Sequence, residues 1–395
     1  MLSATTAEHS VRSCDVLVVG AGPAGSSCAW ALRDSGLDVL LIDRCEFPRH
    51  KTCAGWITPP VATALSLDLE DYGRTRTLQP ITGFRTSILG ERDVETRYDS
   101  VVSFGIRRCE FDEYLLRRCG ASALEGQPVD SIERVGTEWL INGALRTQML
   151  VGAGGTHCPV ARLLFPDDDV KGLLVTAQEV EFEAPSADLE QGTVRGDTPE
   201  LFFCDDLTGY AWCFRKGSFL NIGVGRVNAH DIPQQMTDFC RFLQDTGRVC
   251  TSIPDRRHGH SYRLHEGLPR PLTHDSVLLI GDAAGLAYPQ SGEGIQPAIE
   301  SGLLAAAVIA ACAERSDFSP AALAAYEHQI ERRFGPRRHP SHLPLSASWL
   351  RRAAACLLTN HWFSRHVILD RWFLHRDLAA LMIVQRDTHQ TRESR

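Results

Sequence analysis

The 395-residue chain lacks the cysteine spacings of a metal or dithiol site. Its 13 Cys stand no closer than eight residues apart. There is thus no C-x-x-C pair and no zinc-knuckle spacing. An odd count without a secretory leader implies reduced thiols in a cytoplasmic protein, most of them small buried hydrophobes. No apolar run reaches the ~18 residues that span a bilayer. The longest, Leu303 to Ala313, has 11 and is Ala-rich, which fits a buried helix. The opening MLSATTAEHS has no basic or apolar segment, so no signal peptide is expected. No G-x-S-x-G elbow is present, which removes a serine hydrolase. Positive charge is not in excess either: 41 Lys+Arg against 49 Asp+Glu give -8, which excludes a general nucleic-acid binder. Internal repeats and low-complexity stretches are absent.

What is present reads as a large globular fold, with 43% hydrophobic and 23% charged residues. The charge is unevenly spread. From Glu331 onward there are 12 Arg and 5 acidic residues, a net of +7, which leaves -15 on the first 330 residues. Residues 14–19 (CDVLVV) predict an apolar strand. The turn Gly20-Ala21-Gly22-Pro23-Ala24-Gly25 follows, then a helix-forming run from Ser26 to Arg33. A second strand, Asp38 to Ile42, ends at Asp43-Arg44. Such apolar strands belong in a parallel sheet covered on both faces. Met149 to Ala153 and Val277 to Ile280 are further strands of this kind, and a helix is expected from Gly294 to Ala313. Residues 76–100 and 176–274 differ, with short alternating strands such as Val175 to Phe182, Leu201 to Cys204 and Phe219 to Val224. They predict an antiparallel sheet.

The three glycines have separate tasks in dinucleotide binding. Gly20 permits the tight turn, Gly22 lets backbone approach a pyrophosphate, and Gly25 lets helix pack on strand. The helix start adds free N–H groups and roughly +0.5 charge. Asp43, 23 residues after Gly20, stands where a carboxylate accepts ribose hydroxyls. A second group runs Gly281-Asp282-Ala283-Ala284-Gly285, then Tyr288-Pro289, then Ser291-Gly292-Glu293-Gly294-Ile295. Here an aspartate ends a strand, and a Gly-lined turn opens a long helix. That pattern suits a polyol hydroxyl and a developing negative charge. Glu293 reads either as an acid/base group or as a stabiliser of the helix start.

Together these segments resemble the flavoprotein family of p-hydroxybenzoate hydroxylase-like monooxygenases, flavin-dependent halogenases and geranylgeranyl reductases. The resemblance covers most of residues 14–330. It implies FAD rather than NAD as the tightly held cofactor. Within the family, Phe47-Pro48-Arg49-His50-Lys51-Thr52-Cys53-Ala54-Gly55 looks like the P-R-x-K-x-C-G-G segment of geranylgeranyl reductases, with Ala54 in place of Gly. Arg49 and Lys51 are then expected at cofactor phosphate or reduced flavin, and Cys53 near the ring. Arg108-Cys109-Glu110-Phe111-Asp112 resembles R-x-x-F-D, which brings Arg108 to the cofactor. Tyr210-Ala211-Trp212-Cys213-Phe214-Arg215 resembles Y-x-W-x-F-P, with Arg215 for Pro. In a strand Tyr210, Trp212 and Phe214 share one face. They make a flat apolar wall for a lipophilic substrate, or a stripe of sheet core. The halogenase pattern W-x-W-x-I-P is absent. Gly152-Ala153-Gly154-Gly155 aligns with G-A-D-G, and Gly154 replaces the Asp that links FAD and nicotinamide sites in the monooxygenase relatives.

These readings give an α/β fold with a Rossmann-type FAD-binding domain assembled from residues 14–75, 101–175 and 275–330. An antiparallel-sheet substrate domain (76–100 and 176–274) is inserted, and a helical C-terminal region spans 331–395. The expected activity is reduction of a carbon–carbon double bond in an isoprenoid or natural-product substrate. Cys53 would be the acid, and Tyr210, Trp212 and Phe214 would orient the substrate. A flavin monooxygenase and a flavin-binding membrane-associated adaptor are the competing readings. The electron donor is left open between NAD(P)H and a ferredoxin-like partner protein. His258, His260 and His265 are read as strand or surface residues, with no metal. Trp362, His366, Leu369 and Phe373 fall on one helical face, either a membrane-surface helix or a lid packed on the body.

Overall fold

The computed structural model describes residues 11–165, 174–204, 206, 208–227, 231–266, 271–337 and 355–382. Trp349 and the arginines beyond 382 lie outside the described residues.

One sheet of eight strands carries the nucleotide fold. Its spatial order is Thr273–His274, Val277–Leu279, Leu145–Gly152, Arg12–Val19, Val39–Ile42 and Ser122–Leu124, with the hairpin Ile132–Val135/Glu138–Ile141 branching from Leu145–Gly152. The strands from Val277–Leu279 to Ser122–Leu124 are parallel. Val16, Leu17, Leu40 and Leu150 are fully buried, as strands covered on both faces require. The helix Pro23–Leu32 packs across the first strand and against Ile295–Ala313. It begins three residues earlier than its small-residue run suggests, because Pro23 at its first position has φ preset for a helix start. Ile295–Ala313 is long and apolar enough to cross a membrane, with mean hydropathy 1.6, but 83% of that window is buried inside the fold. It is a core helix here.

The second sheet has seven strands, ordered His258–Arg263, Leu174–Glu183, Phe219–Val227, Gly209–Lys216, Glu200–Phe203, Gly83–Ile88 and Val94–Arg97. All pairs are antiparallel except Glu200–Phe203 with Gly83–Ile88. A third sheet, Trp56–Ile57/Ser103–Ile106/Leu78–Ile81, joins residues from both sides of the expected boundaries at 75 and 100. Helix Ile232–Asp245 was not legible among the strand signals. Its buried face of Ile232, Met236, Phe239, Cys240 and Leu243 covers the outer side of the second sheet.

The described part of the C-terminal arm is helical but not α-wound throughout. Ser364–Phe373 is a π-helix, with Leu374 N–H bonded to Leu369 O five residues back. Its wider winding turns Ser364, Ile368, Leu369 and Phe373 inward. Trp362 is 64% exposed, and its ring meets His366 at a tilt, centroids 5.2 Å apart, outside that face. The expected stripe therefore splits, because it assumed α periodicity.

Candidate active site

The phosphate-binding turn is built by close approach. Gly20 has φ +113°, and a β-carbon there would lie 2.4 Å from Ala153 O. At Gly25 it would lie 1.9 Å from Gly20 O, so any side chain would force the helix off the turn. Asp43 sets the loop from the second strand. Its carboxylate accepts Ala21 N–H at 2.8 Å and Cys45 N–H at 2.9 Å, while Arg44 points to solvent. Pro23, Ala24 and Gly25 form the first turn of a helix with no side-chain cap and no acidic residue there. Its N–H groups are left for an anion.

Cations converge beside this turn. Arg49 Nη2 sits 3.2 Å from where a β-carbon of Gly22 would be. The fully buried Asp112 holds two guanidiniums at once: Arg108 in a fork at 2.8 and 2.9 Å, and Arg49 at 3.2 Å. Burial opposes the Arg108 charge, but the Asp112 carboxylate outweighs it and holds the guanidinium firmly protonated. Burial lowers the Lys51 ammonium to about 8, against the pull of Asp282. Asp282 lies 3.6 Å from His260 Nε2. Burial opposes its charge, yet His260, Lys51 and Arg108 together keep the carboxylate below its ordinary range. An uncapped helix start with arginines beside it, and an aspartate flanked by glycines, fit the diphosphate and polyol of FAD.

The second glycine turn packs tightly on its neighbours. Gly281 and Gly292 both have positive φ, and the Tyr262 hydroxyl fills the space a side chain at 292 would need. Gly294 faces Asp282 Oδ1, so the aspartate and the Pro289–Ile295 turn meet. Glu293 accepts Gln296 N–H at 2.7 Å, as the helix-start reading expects, and Ile295 begins the helix. Opposite stands Cys53. Its N–H donates to Glu179 at 3.1 Å, and its carbonyl accepts from Asn221 Nδ2 at 3.1 Å. The following Ala54-Gly55 lead into Trp56, where Lys216 Nζ is 2.6 Å from a β-carbon built on Gly55.

Tyr210, Trp212 and Phe214 do share one face. Tyr210 O–H donates to Ser291 O at 2.7 Å, which ties the aromatic wall to the glycine turn. Trp212 lies flat over Gly223 and donates to Asn221 Oδ1 at 2.7 Å. Phe214 stacks on Trp56 with centroids 5.1 Å apart. Phe84, Tyr98, Phe203 and the arm's Phe373 complete the cluster. Phe373 reaches Tyr210 at 5.3 Å and Trp56 at 5.9 Å.

Gly154 lies against the phosphate-binding turn, its N 2.7 Å from where a β-carbon of Gly20 would be. A side chain there would press on Cys158 Cα at 3.2 Å, which gives Gly a packing reason to replace Asp. His258 stacks on His50 at 3.7 Å, and His265 bonds Gly335 O at 3.0 Å. Among the described residues no three His, Cys, Asp or Glu could hold a metal ion. Three inward polar residues escaped the sequence reading: Glu179, Asn221 and Lys216. Lys216, 1% exposed, lies on the Tyr210 face and bonds Glu181 at 3.0 Å and Ile106 O at 2.9 Å. Glu179 and Glu181 share the buried register of Ala177. Two acids on an apolar face were the available signal.

Comparison with known proteins agrees with this geometry. The family described as FAD dependent oxidoreductase matches residues 15–85. A menaquinone reductase of Mycobacterium tuberculosis is 32% identical over 330 residues, covering 75% of this chain and 76% of that protein. Digeranylgeranylglycerophospholipid reductase 1 of Methanothermobacter thermautotrophicus is 27% identical over 350 residues, covering 82% and 84%. The crystal structure of a geranylgeranyl bacteriochlorophyll reductase-like protein from Thermoplasma acidophilum aligns with a TM-score of 0.70 at 21% identity, over 94% of each chain. This chain belongs to the geranylgeranyl reductase-like family of FAD-dependent oxidoreductases. It is an enzyme of that class, with FAD as its cofactor.

Proposed function

We propose that the enzyme reduces a carbon–carbon double bond in the polyprenyl chain of a lipophilic substrate. The observation that carries this reading is the continuity of the aromatic enclosure with the glycine turn. Tyr210 belongs to both, through its bond to Ser291 O. A flexible apolar chain that displaced Phe373 of the arm would lie on Trp56 and Tyr210, the rings Phe373 now covers, without needing polar partners. Menaquinone, in the name of the mycobacterial relative, carries such a chain.

Reduced FAD supplies the hydride when bound. The residues of this chain do the remainder. Arg49, Arg108 and the helix start at Pro23 hold the diphosphate, and Asp282 holds the polyol. Lys51 balances negative charge beside Asp282. Tyr210, Trp212 and Phe214 set the double bond against the turn, and their apolar surface excludes water. Cys53, fixed by Glu179 and Asn221 on both sides of its peptide unit, stands beside Tyr210 and Arg108 to give a proton to the second carbon.

We further assign the exposed Leu357 and Trp362 of the arm, 48% and 64% exposed, to contact with a lipid surface that delivers the substrate. The donor is proposed to be NAD(P)H or a ferredoxin-like protein, and anaerobic flavin bleaching with each separates them. The substrate is tested by incubating reduced enzyme with a menaquinone and weighing the product. A gain of two hydrogens that fragmentation places in the prenyl chain, and that survives reoxidation of the ring to the quinone, supports the reading. Gain of one oxygen atom in air, with no change without it, replaces it by a monooxygenase.

A further inference from the structure

Behind the glycine turn, on the side of the C-terminal arm, three buried polar groups face one another without partners. Glu293 Oε2, His375 Nε2 and Tyr288 O–H make no hydrogen bond among the described residues. The side chains of Glu293 and His375 are 8% and 7% exposed, and their unpaired atoms stand 3.9 Å apart. The His375 ring lies on Tyr288, with centroids 3.9 Å apart. It also lines a cavity of about 270 Å³ with Gln290, Arg371, Trp372 and Asp377. His375 is held at φ +47°, a left-handed conformation that costs a non-glycine residue about 1–3 kcal/mol. Unpaired buried groups and a strained backbone at one point mark a site whose use is not packing.

We propose that Glu293 and His375 are a proton-transfer pair, which carries protons from the cavity under the C-terminal arm to the glycine turn at the flavin site. The charges around the pair are disposed for this. Burial, with Glu300 adding to it, raises the Glu293 carboxyl to about 8, so it holds its proton at neutral pH. Burial lowers His375 to about 4, so its ring is neutral and can accept at one nitrogen while giving from the other. Glu300 is itself occupied by Arg333 at 2.6 and 2.7 Å, and Arg333 ties the arm through Ala379 O at 3.0 Å. The remaining charged groups near the pair are Asp377 and Arg371, both at the cavity.

The transfer balances without moving electrons. The Glu293 O–H bond breaks and its proton passes, through solvent in the site, to the Cys53 thiolate left when Cys53 has protonated the substrate carbon. The carboxylate then takes the Nε2 proton of His375 once the pair closes from 3.9 Å to hydrogen-bond distance, Nδ1 takes a proton from solvent entering the cavity, and a ring flip restores the starting tautomer. Double-bond reduction consumes one solvent proton for each hydride, so the proposal rests on the reductase reading only for the use of that proton.

The FAD-loaded protein is followed by infrared spectroscopy, at the carbonyl stretch of a protonated carboxylic acid, during transfer into D2O. The wild type is expected to show such a band at neutral pH, and Glu293→Gln to lose it. His375→Ala should keep the band but slow its deuterium shift at least about tenfold. His375→Gln is the second variant, and FAD content with melting temperature reports folding of each. No Glu293 band at neutral pH, or wild-type exchange in both His375 variants, overturns the pair. A product that gains oxygen sinks the reductase reading while leaving the exchange result intact, so the two fail separately.

Discussion

Replacing Asp112 by Asn tests the cation cluster most severely. Asp112 is fully buried and neutralises two guanidiniums, Arg108 at 2.8 and 2.9 Å and Arg49 at 3.2 Å. Asn keeps the shape but removes the charge, and its amide group meets guanidinium N–H donors with donors of its own. Breaking a buried ion pair at one partner costs about 3–5 kcal/mol. Arg49 is 17% exposed and partly solvated, which places the loss near the lower end, about 3 kcal/mol. At about 1.2 °C per kcal/mol for a chain of 395 residues, apo protein should melt about 3–4 °C below wild type. The diphosphate of FAD returns negative charge to Arg49 beside Gly22. FAD should therefore raise the melting temperature more in Asp112→Asn than in wild type. Thermal melts of apo and FAD-loaded protein decide it. A variant that melts with wild type, or gains no more from FAD, refutes the clamp.

Three further outcomes follow. Lys51 sits at about 8 because of burial, and the diphosphate favours its charged form. FAD binding at about pH 9 should then take up a proton. Calorimetry in buffers of different ionisation enthalpy detects this, and Lys51→Met should abolish it; buffer-independent heats in wild type contradict it. Phe373→Ala removes a fully buried ring from the aromatic cluster. It should weaken arm docking by about 3–5 kcal/mol, read as faster tryptic cleavage at Arg365, Arg371 and Arg376; an unchanged digest would falsify the packing of the arm. Glu293, raised from 4.5 to about 8, stabilises the fold below pH 4.5, and that stability is lost as pH rises through 8. His375, lowered from 6.5 to about 4, acts oppositely: its contribution is present above pH 6.5 and lost as pH falls through 4. Urea titrations should show Glu293→Gln flattening the upper slope alone, and an identical slope in that variant removes the assignment.

Much of the cofactor site was legible because it is local. Gly20, Gly22, Gly25 and Asp43 lie within one strand–turn–helix–strand unit, and each residue type answers a constraint set by its chain neighbours. The face shared by Tyr210, Trp212 and Phe214 followed from strand alternation alone. What escaped depends on pairing across sheets. Glu179 and Asn221 reach Cys53 from residues 126 and 168 positions away, and no spacing announces that. Asp112 was visible only as the end of a motif, because its second partner, Arg49, comes from another segment. The arm was misread for a different reason. Its stripe was counted on α periodicity from Trp362 to Phe373, but π winding sets in at Ser364 and leaves His366 outside while bringing Ile368 in.

The central claim is that this FAD enzyme adds hydrogen to a double bond held on the Tyr210–Trp212–Phe214 wall. Its most direct test is the mass of a polyprenyl quinone after one anaerobic turnover with the reduced enzyme. The prenyl chain should gain two hydrogen atoms, a gain lost when Tyr210 and Trp212 are both replaced by Ala in a variant that still binds FAD. A product unchanged without air, and heavier by one oxygen in its presence, contradicts it.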